Sequence, residues 1–267
     1  MAESGLVKTN GLEMDYCMFG SGNRTCVILP GLSVQSVMGS KDVIEEKYAI
    51  LKDDFTTYVF DRKRNISGEY SVYEMADDTA VAMKALGLED AYFFGASQGG
   101  MIAMVMAIRY PKLVKKLVLG STSSHVHTEQ RRVLDEWINL ARTKDRQGLY
   151  QAFGKEIYPP EVYEKYRDYF ADAAKNVTDE DLERFVILAQ SIYDFNVTDE
   201  LKKIHCPVLA LGEFADEVLD SDATMEIAEN LDYRPDFSLY MYTGYGHAAF
   251  DTAPDYKKRV YEFFMKE

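Results

Sequence analysis

The chain has 267 residues, which is enough to bury a large core as one α/β domain or as a domain with an insertion. Its 44 acidic residues outnumber the 30 basic ones, and the formal net charge of −14 disfavours nucleic acid and anionic membrane surfaces as partners. No apolar run approaches the roughly 20 residues that span a bilayer, and residues 1–10 lack the apolar segment of a secretory signal.

Seven short runs rich in Val, Ile, Phe and Tyr have the length of strands. They are Leu12–Phe19, Cys26–Leu29, Thr57–Phe60, Ala91–Gly95, Leu117–Gly120, Val208–Gly212 and Leu239–Thr243. The middle runs are almost continuously apolar, as parallel strands covered on both faces are. Segments of helical period lie between them, namely Val72–Leu86, Met101–Arg109, Ala223–Leu231 and Asp255–Met265. This alternation predicts a doubly wound, mostly parallel sheet with right-handed crossovers.

Two segments depart from the alternation. The first run, Leu12–Phe19, alternates more strongly and ends at Gly20-Ser21-Gly22, which predicts an antiparallel hairpin at the N-terminal edge of the sheet. Residues 122–203 are charged, rich in Tyr and helical in pattern, with a break at Pro159-Pro160. We therefore expect residues 1–121 and 204–267 to form the core and residues 122–203 to form a helical cap over the sheet.

The most specific motif follows the apolar run that begins at Ala91. It reads Gly95-Ala96-Ser97-Gln98-Gly99-Gly100 and leads directly into a helical segment. A serine on a tight turn between a strand and a helix projects its hydroxyl from the sheet edge, and the flanking glycines avoid clashes across that turn. The same five-residue pattern also occurs by chance in loops, so its position between strand and helix carries the interpretation. Ser97 is the predicted nucleophile.

In this motif, in the order of its strands and in the position of the insertion, the chain resembles the α/β-hydrolase family. The resemblance implies a general base in the loop after the last strand, where His247 lies in Tyr245-Gly246-His247-Ala248. It also implies an acid after the run Val208–Gly212, and Asp216 is the candidate there because Asp216-Glu217-Val218 is similar to the family's Asp-x-Val. Asp216 lies four residues after Gly212, whereas three are more usual in the family.

Other titratable residues compete for these roles. Glu213, Glu217 and Asp220 share the loop of Asp216, and a loop of acids is more often merely solvated. His125, His127 and His205 are the other histidines, and their positions favour surface, cap or structural roles.

The family also implies two backbone amides that stabilise an oxyanion. One is the amide of Gln98 at the start of the helix, and the other is the amide of Leu32 in Leu29-Pro30-Gly31-Leu32. Pro30 departs from the usual His of the family, and the alternative for this segment is an ordinary Pro-Gly turn. The basic run Asp61–Asn65 is predicted to be a solvated loop.

Cysteine and histidine usage gives further expectations. Cys17, Cys26 and Cys206 are widely spaced and lie in or beside apolar runs, which favours buried reduced thiols and a cytoplasmic protein. The sequence contains neither Cys-x-x-Cys nor a His pair at helical spacing, so we expect no metal. The predicted chemistry also needs no organic cofactor.

Three functional hypotheses follow. The first is a carboxylic ester or thioester hydrolase with a small, apolar acyl substrate. The second uses the same residues as an acyltransferase, a carbon–carbon hydrolase or an amidase or peptidase. The third is a ligand receptor on a hydrolase scaffold, because fold alone does not determine function. The sequence leaves the oligomeric state open and is compatible with a homodimer.

Eight aromatic residues of the cap are candidates for the wall of an acyl site, although more of them are expected to pack onto the sheet than to contact substrate. They are Trp137, Tyr150, Phe153, Tyr158, Tyr163, Tyr166, Phe185 and Tyr193. Met101, Met104 and Met106, which follow the nucleophile, are interpreted as core residues.

Overall fold

Within residues 1–9 and 11–266, which a computed structural model describes, eight strands form one sheet. They are β1 (Glu3–Thr9), β2 (Leu12–Phe19), β3 (Arg24–Leu29), β4 (Phe55–Lys63), β5 (Ala91–Ala96), β6 (Val114–Gly120), β7 (Val208–Glu213) and β8 (Phe237–Tyr242). Their order across the sheet is β1-β2-β4-β3-β5-β6-β7-β8. The strands from β4 to β8 in this order are parallel to one another, which confirms the predicted fold class.

The antiparallel edge of the sheet is present, but its hairpin differs from the predicted one. β1 pairs with β2, with Thr9 opposite Leu12, so the hairpin precedes Leu12–Phe19. After Gly20-Ser21-Gly22 the chain does not fold back beside β2, because β4 lies between β2 and β3. β1 was missed because its sequence is largely polar, and only Val7 of the strand is fully buried.

Helices cover both faces of the sheet. They are α1 (Lys41–Lys47), α2 (Val72–Ala85), α3 (Gln98–Arg109), α4 (Arg132–Arg142), α5 (Arg146–Ile157), α6 (Pro160–Ala174), α7 (Asp179–Gln190), α8 (Asp220–Leu231), α9 (Ala249–Thr252) and α10 (Tyr256–Met265). The core on one face includes the buried α3 residues Met101, Met104 and Met106, as expected. The core on the other face joins Tyr256 and Phe264 of α10 to aromatic residues of the strands.

The predicted insertion lies between β6 and β7 and contains helices α4 to α7. Its apolar side shares the core of α2 and α3, where Trp137 packs on Phe153 at a ring-centroid distance of 4.4 Å and Phe185 is fully buried. Pro159 and Pro160 lie at the start of α6, where the missing N–H of proline costs no helical hydrogen bond. The division into core and cap stays a prediction.

The three cysteines of the described chain are free thiols. Burial raises the pKa of Cys17 to about 11 and the pKa values of Cys26 and Cys206 to about 12, which makes all three weak nucleophiles. Across residues 1–9 and 11–266, no helix has the length and apolar character needed to cross a membrane.

Candidate active site

Ser97 lies on a strained turn between the end of β5 and the start of α3. Its backbone has φ 52° and ψ −124°, a conformation that is costly for a residue with a side chain. The turn is held on both sides, because the Ser97 amide donates to the Gly120 carbonyl at 2.8 Å and the Thr122 hydroxyl donates to the Ser97 carbonyl at 2.7 Å. This turn orients the Ser97 side chain at the carboxyl edge of the parallel strands.

The glycines on either side of Ser97 are needed for close packing. A Cβ on Gly95 would lie 2.4 Å from the Gly99 carbonyl oxygen, and a Cβ on Gly99 would lie 1.9 Å from the Leu29 carbonyl oxygen. Neither position can take a larger residue without moving the backbone. The spacing of the motif is therefore explained by contacts between β5, α3 and β3.

The structure brings Ser97, His247 and Asp216 into one hydrogen-bonded line. His247 Nε2 lies 3.0 Å from Ser97 Oγ, and His247 Nδ1 lies 2.9 and 2.8 Å from the two carboxylate oxygens of Asp216. His247 and Asp216 are 4% and 7% exposed, so this pair is shielded from bulk water. An imidazole between a hydroxyl and a carboxylate is the arrangement that general-base activation of a serine requires.

The Asp216 carboxylate is oriented by its own loop. Its Oδ1 accepts hydrogen bonds from the amides of Val218 at 2.9 Å and Leu219 at 3.0 Å, in addition to the contact with His247. These donors offset the cost of burying the carboxylate. The longer turn after Gly212 thus still delivers the acid to His247.

Glu213, one of the competing acids, has a different role. It is 1% exposed at the end of β7, where its carboxylate accepts hydrogen bonds from the amides of Ala215, Gly244 and Tyr245 at 2.9 to 3.0 Å. Glu213 therefore ties the loop of Asp216 to the loop of His247 and makes no direct contact with the imidazole. Glu217 and Asp220 are exposed.

The other three histidines are distant from this line of hydrogen bonds. His125 Nδ1 lies 3.0 Å from the side-chain nitrogen of Asn196, His127 Nε2 lies 3.3 Å from Glu226, and His205 is exposed. In residues 1–9 and 11–266, no group of three or more His, Cys, Asp or Glu is arranged to hold a metal ion.

The loop after β3 packs against Ser97. A Cβ on Gly31 would lie 3.1 Å from Ser97 Cβ, so the backbone of this loop is adjacent to the hydroxyl. Among the described residues, the amides of Leu32 and Gln98 have no hydrogen-bond acceptor. Gln98 also begins α3, where the helix dipole favours negative charge. Both amides are thus available as oxyanion donors, and this assignment stays a prediction.

The prediction that Asp61–Asn65 is a solvated loop is wrong for its first residues. β4 continues to Lys63, and Asp61 and Arg62 are each only 6% exposed. Arg62 Nη2 donates to the Pro30 carbonyl at 2.8 Å and to Gln98 Oε1 at 3.1 Å, and burial lowers the pKa of Arg62 to about 10. The sequence did contain a signal that the strand continues, because no turn residue separates the apolar run Thr57–Phe60 from Asp61.

A cavity of about 830 Å³ begins beside the turn at Ser97. Its inner wall includes Pro30, Gly31 and Ala96, which neighbour Ser97 in sequence or in space, while Ser97 itself lies outside the lining. Its outer wall is formed by α1, by Phe250 and by α6, with Tyr158 and Tyr166 among the aromatic residues predicted for such a site. Trp137, Phe153 and Phe185 instead pack in the core.

Comparisons with known proteins find similarity to hydrolases. A family model described as alpha/beta hydrolase fold matches residues 27–153. A putative carbamate hydrolase RutD of Pantoea ananatis is 24% identical over 91% of this chain and 89% of its own length. Serine hydrolase BPHL of Mus musculus is 26% identical over 55% of this chain and 54% of its own length.

Solved structures share the fold over nearly the whole chain. MGS-M2, an alpha/beta hydrolase enzyme from a Medee basin deep-sea metagenome library, has a TM-score of 0.87 at 20% identity and covers 98% of both chains. The enol-lactonase from Burkholderia xenovorans LB400 has a TM-score of 0.83 at 18% identity, covering 98% of this chain and 100% of its own. This chain has the α/β-hydrolase fold.

Proposed function

We propose that the chain is a serine hydrolase that cleaves a carboxylic ester or thioester of a small, apolar acyl group through an acyl-enzyme intermediate. Hydrolysis is the general activity that the family and its named relatives support. The observation that carries the finer proposal is the contact of His247 Nε2 with Ser97 Oγ at 3.0 Å while Nδ1 contacts Asp216 at 2.8 Å. Both contacts are within the range for proton transfer and orientation.

In the acylation step, Ser97 Oγ attacks the substrate carbonyl carbon as its proton moves to His247 Nε2. The carbonyl oxygen becomes an oxyanion, which the amides of Leu32 and Gln98 stabilise. Losing one such donor typically costs about 3–4 kcal/mol of transition-state stabilisation. When the bond to the leaving oxygen or sulfur breaks, His247 returns the proton to the leaving group and the acyl-enzyme remains.

In the deacylation step, water replaces the leaving group. His247 Nε2 takes a proton from the water, whose oxygen attacks the acyl carbon, and the same two amides stabilise the second oxyanion. The proton then passes to Ser97 Oγ as the carboxylic acid leaves. Throughout, Asp216 accepts the hydrogen bond of His247 Nδ1, which selects the reactive tautomer and stabilises the imidazolium.

The cavity under α6 supports an apolar acyl group. Its volume suits a small molecule, and its wall combines apolar residues such as Ile44, Phe170 and Phe250 with polar and charged ones such as Lys47 and Asp251. Because Gly31 and Ala96 border the cavity next to Ser97, an acyl chain lying in it would present its carbonyl carbon near Oγ.

A carbamate is the second candidate substrate. It is favoured by the similarity over 91% of this chain to a protein described as a putative carbamate hydrolase. A carbamate carbonyl would be attacked in the same way, with a nitrogen substituent on the acyl carbon.

The first test is labelling with a fluorophosphonate probe, followed by digestion and mass spectrometry. We expect an adduct on Ser97 that is absent in Ser97→Ala and strongly reduced in His247→Ala. A panel of 4-nitrophenyl esters, a thioester and a carbamate then identifies the preferred bond. A folded wild-type protein that is neither labelled nor active on the panel would contradict the proposal and favour the receptor hypothesis.

We also propose a cytoplasmic location, which the three free thiols support. Cell fractionation tests it. Light scattering coupled to size-exclusion chromatography tests whether the chain forms a homodimer.

A further inference from the structure

Arg62 is a buried arginine whose side chain contacts no carboxylate within residues 1–9 and 11–266. Its Nη2 donates to two neutral oxygens, the Pro30 carbonyl and Gln98 Oε1, and its Nε has no hydrogen-bond partner among the described residues. Burying a guanidinium in this way is costly unless its charge is compensated. We therefore ask what a buried arginine with these hydrogen bonds does for the adjacent site.

The two oxygens that Arg62 holds belong to the two halves of the proposed oxyanion hole. Pro30 lies two residues before Leu32 in the loop after β3, and Gln98 follows Ser97 at the start of α3. One nitrogen atom, Nη2, thus ties the loop carrying the first amide to the side chain of the residue carrying the second. We therefore expect the separation between the two amides to depend on both contacts.

The charged groups beside Arg62 leave the cluster with a net positive charge. The Asp61 carboxylate accepts hydrogen bonds from the Ser36 hydroxyl, from the Arg62 amide at 2.7 Å and from Arg184 Nη2 of α7 at 2.8 Å. The cluster of Asp61, Arg62 and Arg184 therefore has two guanidinium groups and one carboxylate, which gives it a formal charge of +1.

The Gln98 side chain completes the connection to α7. Its Nε2 donates to the Leu188 carbonyl at 2.7 Å and lies 3.2 Å from the Ser191 hydroxyl. Because its Oε1 accepts from Arg62, the side chain has little freedom to rotate. The start of α3 is thus fixed from two directions.

We propose that Arg62 is a positioning residue that holds the Leu32 and Gln98 amides at the spacing an oxyanion requires and supplies positive charge behind them. This inference depends on the proposed serine hydrolase function. The charge acts at short range in a buried environment, where electrostatic interactions are stronger than in water. Arg62 touches neither the substrate nor Ser97 in this scheme.

The test compares Arg62→Met, Arg62→Lys and a matched control, Arg64→Met. Arg64 is two residues away and is 48% exposed, where it pairs with Asp15 on the surface. The measurements are kcat and KM on the best ester of the panel, the inhibition constant of a boronic acid that forms a tetrahedral adduct on Ser97, and the thermal midpoint.

For Arg62→Met we expect kcat to fall about 10- to 100-fold, somewhat less than the loss of one oxyanion donor itself, with KM changed less than about threefold. The boronic acid should weaken in parallel with kcat, because both report the tetrahedral oxyanion. Arg62→Lys keeps the charge and should recover part of the loss. Arg64→Met should match the wild type.

A merely structural role would lower the thermal midpoint and leave kcat, KM and boronic acid inhibition of the folded protein unchanged, which would overturn the inference. If Arg62→Met does not fold, Arg62→Lys decides, since a wild-type kcat in it would contradict the need for the planar guanidinium. Failure of the wild type to be labelled at Ser97 or to hydrolyse any ester would instead remove the proposed function itself.

Discussion

The two sides of Ser97 are held by different parts of the molecule. On one side, His247 and Asp216 lie in the loops after β8 and β7, and Glu213 bonds to the amides of both loops. On the other side, the loop after β3 is held by Arg62 of β4, and Arg184 of α7 braces the adjacent Asp61. The insertion contacts both sides, but differently. Beside His247, the Ala248 amide donates to the Ile157 carbonyl of α5 at 2.9 Å, whereas on the second side the contact is an ion pair from α7.

This difference indicates how each side should respond to change. Proton transfer depends directly on the contacts among Ser97, His247 and Asp216, so substitution of Asp216 should act mainly on the reaction. On the side of the proposed oxyanion donors, the contacts run through Arg62, Asp61 and Arg184, none of which is hydrogen-bonded to Ser97, so substitutions in α7 should act on both stability and rate. The predictions below test this contrast.

The largest effect is expected for Asp216→Asn. The amide would place an N–H against His247 Nδ1 and favour the wrong tautomer, so we expect kcat to fall about 10³- to 10⁴-fold with little change in KM. Steady-state kinetics on the best ester measures it.

Glu213→Gln is the matched control in the same loop. One acceptor oxygen for the amides of Gly244, Ala215 and Tyr245 would be lost, and we expect a decrease in unfolding free energy of about 1–3 kcal/mol. Its kcat should fall no more than about tenfold, because the contact between His247 and Asp216 persists. The opposite ranking of the two variants would make Glu213 the catalytic acid.

Much of the His247 side could be predicted because each of its residues follows a recognisable strand. The turn at Ser97 is fixed by its two glycines and by the change from strand to helix, all within six residues of sequence. Asp216 and His247 follow strands whose apolar runs are easily recognised, and parallel strands end at the same edge. The predicted sheet therefore already places these side chains near one another.

The oxyanion side could not be predicted in the same way. The hydrogen bonds of Arg62 to Pro30 and Gln98 exist only because β4 lies beside β3 and β3 beside β5. The positions of the strands along the sequence do not reveal this order across the sheet. The charged run Asp61-Arg62-Lys63-Arg64 favoured a solvated loop. The partner of Asp61 on α7, Arg184, lies more than 120 residues away in sequence and could not be identified from the run itself. β1 was missed for a related reason, because an edge strand needs few apolar residues.

The second prediction concerns the cavity beside the oxyanion loop. Val162 of α6 lines it, and Val162→Trp would fill part of its volume. We expect KM for a hexanoate or longer ester to rise about tenfold while an acetate ester is nearly unaffected. Asp168→Trp adds the same side chain at an exposed position of α6 outside the lining and should leave both esters unchanged. Equal effects of Val162→Trp on short and long esters would argue that acyl chains bind elsewhere.

The smallest expected effect on rate distinguishes the two sides most directly. Arg184→Met removes the ion pair between α7 and Asp61, whose side chains are 18% and 6% exposed. We expect the unfolding free energy to fall by about 1–3 kcal/mol, less than for a fully buried pair, because Arg184 is partly exposed and Asp61 keeps two other donors.

Because Asp61 also binds Ser36 in the oxyanion loop, kcat of Arg184→Met should fall about two- to tenfold with KM nearly constant. Arg167→Met breaks a pair with Glu164 in which both side chains are more than half exposed. It should leave kcat unchanged and alter the unfolding free energy by no more than about 0.5 kcal/mol. Denaturant unfolding and steady-state kinetics on both variants measure these quantities. A loss of stability in Arg184→Met with unchanged kcat would mean that the ion pair from α7 stabilises the fold without positioning the proposed oxyanion donors.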